Sequence, residues 1–266
     1  HIERMNNSAK RMCIPPLDPE MALKSLVTLV GLEKEWVPST VGTSLYVRPT
    51  IIANEAFLGV RPAHSYIYYV ILSPVGAYYP EGMNPVKILV VDKYVRAVEG
   101  GVGAAKTSGN YAASLYAAEE AKHAGFTQVL WLDGRERKYV DEVGTMNIML
   151  KIGDEVITPP LASGTILPGV TRDSALTLMR EWGLRVAERQ VSIDEVAQAA
   201  HRGTLKEVWG TGTAAVISPV GELAYKGERI VINQGRIGEL TQKLYDAIVG
   251  IQYATAPDTH GWTVPV

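Results

Sequence analysis

Only one cysteine, Cys13, occurs among the 266 residues. A single thiol excludes an intrachain disulfide and any cluster of thiolates around zinc, and it predicts a reducing, cytoplasmic setting. Long apolar runs are missing as well. None approaches the roughly 20 residues that cross a bilayer as a helix, and no secretory leader is read at the start. The five histidines (His1, His64, His123, His201 and His260) show no H-x-x-x-H or H-E-x-x-H spacing. Surface or packing roles are expected of them, and no metal site. Charge of one sign is absent too: 26 Lys and Arg against 28 Asp and Glu leave a net charge of −2 and a pI near 6.3. No basic footprint marks a nucleic-acid partner. Internal repeats, low-complexity segments and an initiator methionine are also lacking. The chain opens at His1 in a helix-like run, which predicts that an N-terminal portion precedes it.

What remains is an ordinary globular composition, 47% hydrophobic and 20% charged, long enough for one large or two modest domains. Residues 1–13 place Ile2, Met5, Ala9 and Met12 at helical spacing. Asp18-Pro19 starts a second helix running to Gly31. Alternation and β-branched residues predict strands over 35–47, 49–58 and 65–75. Turn formers in 76–85 mark an interdomain loop between a first domain, 1–75, and a second, 86–266. In the second, a strand is expected over 86–98, a helix over 111–124 and a strand over 128–133. Paired strands over 139–148 and 149–157 follow, turning at Gly153-Asp154. The Gly-rich loop 161–174 feeds a helix start, an arrangement that offers unpaired N–H groups to an anion. Ser192-Ile-Asp-Glu195 is a capping box. A small-residue loop, 209–215, precedes a strand over 216–219, and 238–253 closes the chain as a helix.

The organising stretch is 98–115, where an apolar strand enters a cluster of small residues around one lysine, Lys106. Glycines there let backbone approach a ligand closely. Three chemistries fit. Gly100, Lys106 and Thr107 nearly spell a nucleotide phosphate loop, with Asp133 as the magnesium aspartate, although Ala105 stands where the second glycine belongs. Lys106 could equally be a Schiff-base lysine for pyridoxal phosphate. The third reading is a strand-to-helix turn with a solvated lysine.

Collected in order, six motifs decide among them: His-Ile-Glu-Arg-Met (1–5), Gly-Thr-Ser-Leu-Tyr-Val-Arg-Pro (42–49), Gly-Gly-Val-Gly-Ala-Ala-Lys-Thr-Ser-Gly-Asn-Tyr (100–111), Glu-Val-Gly-Thr-Met-Asn (142–147), Ile-Leu-Pro-Gly-Val-Thr-Arg (166–172) and Gly-Thr-Gly-Thr-Ala-Ala (210–215). Together they resemble the branched-chain amino acid aminotransferases, pyridoxal-phosphate enzymes of fold type IV. The resemblance covers essentially the whole chain and displaces the phosphate-loop reading. It implies a two-domain α/β fold, D-amino acid aminotransferase-like. Residues 1–75 would be the remainder of the small domain, whose first part with its aromatic specificity residues is absent. Residues 86–266 would form the large cofactor-binding domain.

The same resemblance implies site roles. Lys106 matches the Schiff-base lysine that also shuttles the proton between substrate and cofactor. Tyr111 matches the tyrosine on the cofactor's phenolic oxygen, and Glu142 the carboxylate on its pyridine nitrogen. Asp141 beside it is expected at the surface. Phosphate would be held by Arg4, by the N–H groups of Val170 and Thr171, and by Thr213. Substrate carboxylate would rest at Thr213 and Ala214 near Thr145, with Tyr46 and Arg48 on the substrate side. Leu58 and Val60 match residues that reach a neighbouring subunit's pocket, implying a homodimer. Ala215 and Ser218 replace a Cys-x-x-Cys pair of some mammalian members, so no thiol switch is expected. The implied activity is ping-pong transfer between leucine, isoleucine or valine and 2-oxoglutarate, in branched-chain amino acid biosynthesis. D-Amino acid aminotransferases and aminodeoxychorismate lyases share the lysine and glutamate, but the Glu-Val-Gly-Thr-Met-Asn and Leu-Tyr-Val-Arg motifs argue against both.

Overall fold

Asp18 sets the first long helix for a local reason. Its carboxylate accepts from the Glu20 and Met21 N–H groups at 2.9 and 3.2 Å, and Pro19 forgoes no bond because first-turn donors have no acceptor within the helix. The computed structural model describes residues 1–40, 42–76 and 83–266. It comprises two units, His1–Pro80 with Gly261–Val266, and Glu81–His260. The tail 261–266 therefore groups with the first unit, where Val266 lies beside Gly31, rather than with the second domain expected over 86–266. Most of the expected interdomain loop, residues 77–82, lies outside the described residues.

In the first unit α1 (Ile2–Arg11) packs on α2 (Pro19–Leu32). The Asn6 side chain donates to the Leu17 carbonyl and accepts from its N–H, both at 2.9 Å, which fixes the link between the helices. β1 (Ser44–Ala53) and β2 (Tyr66–Val75) pair antiparallel, with Tyr46 opposite Ser73 and Arg48 opposite Ile71. The two strands expected over 35–47 and 49–58 are thus one. Residues 34–36 form a 3-10 turn, and β1 runs straight through Pro49, opposite Val70. In a two-stranded ribbon alternate N–H groups face away from the partner, so proline there need not break the ladder. Between β1 and β2, Glu55 braces the loop. It accepts from both terminal nitrogens of Arg61, at 2.6 and 3.1 Å, and from the His64 N–H at 2.7 Å.

The second unit is a nine-stranded mixed sheet with helices against it. Its strands are β3 (Val86–Val91), β4 (Gln128–Leu132), β5 (Val140–Val143), β6 (Met146–Ile152), β7 (Glu155–Thr158), β8 (Arg185–Glu188), β9 (Leu205–Gly212), β10 (Val216–Tyr225) and β11 (Glu228–Val231). β3 pairs β4, and the ladder continues through β5, β6, β9 and β10 back to β3. Those six strands therefore close on themselves, which leaves no free edge among them. Closure explains why β5, Leu130 and Trp131 on β4, and Ile148 to Leu150 on β6 are buried on both faces instead of alternating.

Helix α3 (Ser108–His123) crosses from β3 to β4 and buries Ala117 and Ala121 against Val91, Val129 and Trp131. α4 (Val170–Glu181) and α6 (Glu239–Gln252) pack on β9, and α5 (Ile193–His201) on β9 and β11. The Ser192 cap is made as expected, the Glu195 N–H donating to Ser192 Oγ at 3.0 Å.

Three expectations in this unit need correction. The strand foreseen over 86–98 ends at Val91, and residues 92–98 run on as the loop that carries Arg96. The pair foreseen over 139–157 is three strands, with an extra turn at Gly144-Thr145 that Gly144 enters at φ +56°. The small-residue loop 209–215 is mostly strand: β9 runs to Gly212 and only 213–215 turn. Those glycines are in the ladder because Met146 lies against Gly210 and Gly212, where larger side chains would not fit.

Candidate active site

The lysine loop is held by an asparagine one turn further on. Asn110, 9% exposed in the first turn of α3, donates its amide to the Val102 and Ala105 carbonyls at 2.9 and 2.8 Å. That clamp sets Lys106 just ahead of the helix, with Thr107 as its N-cap residue. Lys106 Nζ donates to the Tyr111 hydroxyl at 2.7 Å, and Tyr111 projects from the first turn of the same helix. Gly103 is required here by contact: any Cβ would run into the Thr165 carbonyl and Ala97.

Glu142 faces the same cleft from β5. One cleft is lined by Lys106, Tyr111, Glu142, Thr145, Arg96 and Leu167. Glu142 is 3% exposed and accepts from the Leu167 N–H at 2.9 Å and, less closely, from Asn147 Nδ2 at 3.4 Å. Arg96 Nε lies 3.3 Å from its other oxygen. Burial pushes the Glu142 carboxyl up to about 7; Arg96, the Leu167 N–H and Lys106 oppose the rise and Asp141 adds to it. Asp141 is not the surface residue expected. It is 7% exposed, and burial pushes it up to about 6 against a hydrogen bond from Thr165 and the charge of Arg96.

A strap, residues 163–169, ties this end of the cleft to α4. Arg96 Nη2 donates to the Thr165 carbonyl, Asn147 Nδ2 to the Leu167 carbonyl at 2.9 Å, and the Ala104 N–H to the Gly164 carbonyl at 3.0 Å. The strap ends at Gly169, the N-cap residue of α4, where a Cβ would collide with Asn147 Oδ1. No side chain caps α4 at its N-cap, and the N–H groups of Val170 and Thr171 have no acceptor within the helix. The register adds the last loop. Glu142 stands opposite Asn147, and Asn147 opposite Thr211, so the Gly144-Thr145 turn and the Thr213-Ala214 turn lie at one end of the sheet.

The structure thus brings Lys106, Tyr111, Glu142 and Thr145 together, and sets the α4 start, Val170 and Thr171, and the turn with Thr213 and Ala214 at that same end. Arg4, Tyr46, Arg48, Leu58 and Val60 belong to the first unit. Arg4 is on α1 with Nη2 3.4 Å from His1 Nδ1, the Arg48 guanidinium lies 5.0 Å from the centre of the Tyr46 ring, and Leu58 and Val60 are fully exposed on the loop that Glu55 braces. Asp133, the magnesium aspartate of the phosphate-loop reading, is otherwise engaged. Its carboxylate accepts from the N–H groups of Arg135, Glu136, Lys138 and Tyr139 at 2.7–3.0 Å. Burial pushes Asp133 up, yet those four donors more than offset it and hold the carboxyl below its usual range.

Sequence reasoning missed Arg96, Asn110 and Asn147. Asn147 had a signal: a turn at Gly144 sets 142 opposite 147. Arg96 had none, since its partners lie 46 and 69 positions away, at Glu142 and Thr165.

Residues 1–223 match the model of the amino-transferase class IV family. The chain belongs to the class IV aminotransferases. It is 55% identical to branched-chain-amino-acid aminotransferase 2 of Bacillus subtilis, over its whole length and 73% of that relative's. The solved branched-chain amino acid aminotransferase of Escherichia coli superposes with a TM-score of 0.82 at 28% identity, covering 98% of this chain and 81% of that one. A structure of the T.th. branched-chain amino acid aminotransferase with pyridoxamine 5′-phosphate gives a TM-score of 0.81 at 26% identity, with 98% and 81% covered. The fold type IV architecture expected from the motifs is therefore the one this aminotransferase has. Among its described residues no helix is long and apolar enough to cross a membrane, and no cluster of His, Cys, Asp and Glu could hold a metal ion.

Proposed function

We propose that this aminotransferase exchanges amino groups between branched-chain L-amino acids (leucine, isoleucine, valine) and 2-oxoglutarate, in two reversible half-reactions, with pyridoxal 5′-phosphate as its resident cofactor. One observation carries the reading: the Lys106–Tyr111 pair and the buried Glu142 line a single cleft. The cleft suits the cofactor on the chemistry of its donors. Glu142 is a desolvated carboxylate whose proton affinity is raised by burial, so a cationic ring N–H against it would gain a strong acceptor and restore its charge. Pyridoxal phosphate supplies, when bound, an aldehyde that condenses with amines and a ring that accepts the electron pair left at Cα.

The chain's residues then divide the work. Lys106 presents the amine and moves the proton at substrate Cα. Tyr111 holds Lys106 Nζ and would also meet the ring's phenolic oxygen. Glu142 keeps the ring nitrogen protonated. The N–H groups of Val170 and Thr171 at the α4 start, with Thr213 and Arg4, would hold the phosphate dianion, because helix N-termini and the arginine fork both favour anions. Thr145 and Ala214 would receive the substrate carboxylate. Tyr46 and Arg48 would line the substrate side, where Arg48 can meet the second carboxylate of glutamate. Leu58 and Val60, fully exposed and apolar on a braced loop, suit burial against a second copy, hence a homodimer. A cytoplasmic setting agrees with the single exposed cysteine.

Coupled assay of L-leucine with 2-oxoglutarate, beside D-alanine as donor, tests the proposal. The wild type should transaminate leucine and leave D-alanine. Lys106→Ala should abolish turnover while still binding the cofactor. Near-normal transamination by that variant would sink the mechanism.

A further inference from the structure

We propose that Arg96 is a positioning residue for amino transfer, the fixed cation that keeps Glu142 ionised and aimed into the cleft although a second acid, Asp141, is buried beside it. The inference rests on the pyridoxal-phosphate reading above.

Two adjacent acids on β5 are both almost inaccessible, Asp141 at 7% and Glu142 at 3%. Neighbouring carboxylates removed from water repel, and without a nearby cation one of them takes up a proton. A protonated Glu142 would be a poor partner for a ring N–H⁺. The charged groups acting on Glu142 are Arg96 from the β3–α3 loop, Asp141 on its own strand and Lys106 ahead of α3; Asp133 acts in turn on Asp141. Neutral donors come from Leu167 on the strap and Asn147 on β6. Only two cations are in this set. Lys106 surrenders its charge whenever its amine serves as nucleophile or base, whereas a guanidinium stays charged throughout.

Arg96 is also built in rather than draped over the site. Its side chain is 7% exposed, its Nε lies 3.3 Å from Glu142 Oε2, and its Nη2 donates to the Thr165 carbonyl. The strap that receives this bond holds Asp141 through the Thr165 hydroxyl and Glu142 through the Leu167 N–H. Arg96, both carboxylates and the strap therefore form one connected unit. It spans from the end of the cleft that meets the ring nitrogen to the α4 start that would meet the phosphate.

The test uses the full chain freed of cofactor and titrated with pyridoxine 5′-phosphate, which keeps the ring nitrogen and phosphate but has no aldehyde. Binding is followed by tryptophan fluorescence as a function of pH. In Arg96→Gln the acid limb of the affinity profile should move up by about one pH unit, so affinity falls by up to about tenfold on the acid side and recovers in base. Arg96→Gln with Asp141→Asn should move the limb part of the way back. Asp141→Asn alone, which leaves Arg96 in place, should move it down and serves if Arg96→Gln does not fold. A purely structural role would weaken binding equally at every pH, and that result, or an unshifted profile in Asp141→Asn, overturns the proposal. A wild type that does not bind the probe overturns both this proposal and the cofactor reading. A wild type that binds it, with variants that do not shift, overturns the proposal alone.

Discussion

Asn110→Ala isolates the clamp on the lysine loop. The side-chain amide makes two hydrogen bonds, at 2.9 and 2.8 Å, to the carbonyls of Val102 and Ala105, and the bond to Ala105 is fully buried. Each such bond contributes about 1 kcal/mol net, and a buried carbonyl left without a donor costs a further ~1 kcal/mol or more. Against this, alanine is the better helix former by about 0.6 kcal/mol. The balance is a loss of about 2.4 kcal/mol. For a unit of this size that lowers the melting temperature by roughly 7 °C. The clamp also places Lys106, and a misplacement of ~1 Å costs on the order of a hundredfold in rate. kcat should accordingly fall more than stability alone requires, measured well below the melting temperature. Asn110→Asp should be worse on both counts, because a carboxylate would face two carbonyl oxygens with no proton to share. Differential scanning calorimetry and the leucine assay read the two effects. Melting within about a degree of wild type, with kcat unchanged, would refute the bracing argument.

Other perturbations probe different parts of the second unit. Glu207, buried on β9, caps α6 from a distance by accepting from the Leu240 and Thr241 N–H groups and the Thr241 hydroxyl, so Glu207→Ala should cost about 3 kcal/mol in a thermal melt while leaving the cleft unchanged. Gly169→Ala would push a methyl into Asn147 Oδ1, and cofactor affinity measured on the purified protein should drop even where the melting temperature moves little. The pH dependence of the cofactor-free protein follows from Glu142 and Asp141. Both bind protons more tightly folded than unfolded, up to about 7 and about 6, so their ionisation costs stability as pH rises through the range from about 4 to 7. Glu142→Gln should flatten that fall in melts followed across pH. It should also slow amino transfer, and a wild-type rate would contradict the role given to the carboxylate.

Local chemistry was legible from the residues alone. The Asp18-Pro19 start, the Ser192 box and the lysine ahead of a helix are written within four or five positions, where the partners of each backbone group are chain neighbours. The motif order also carried the family, because the loops that meet at one end of the sheet keep their sequence spacing. Strand ends were harder, since alternation assumes one wet face. β5 is covered on both sides, which is why Asp141 could not be told from Glu142 by period. Only the tertiary fold brings Arg96 and the strap onto the Glu142 carboxylate from positions far along the chain, whereas Asn147 reaches it across a local turn. Those contacts depend on register and loop path, and burial then sets the charge that the carboxylate can hold.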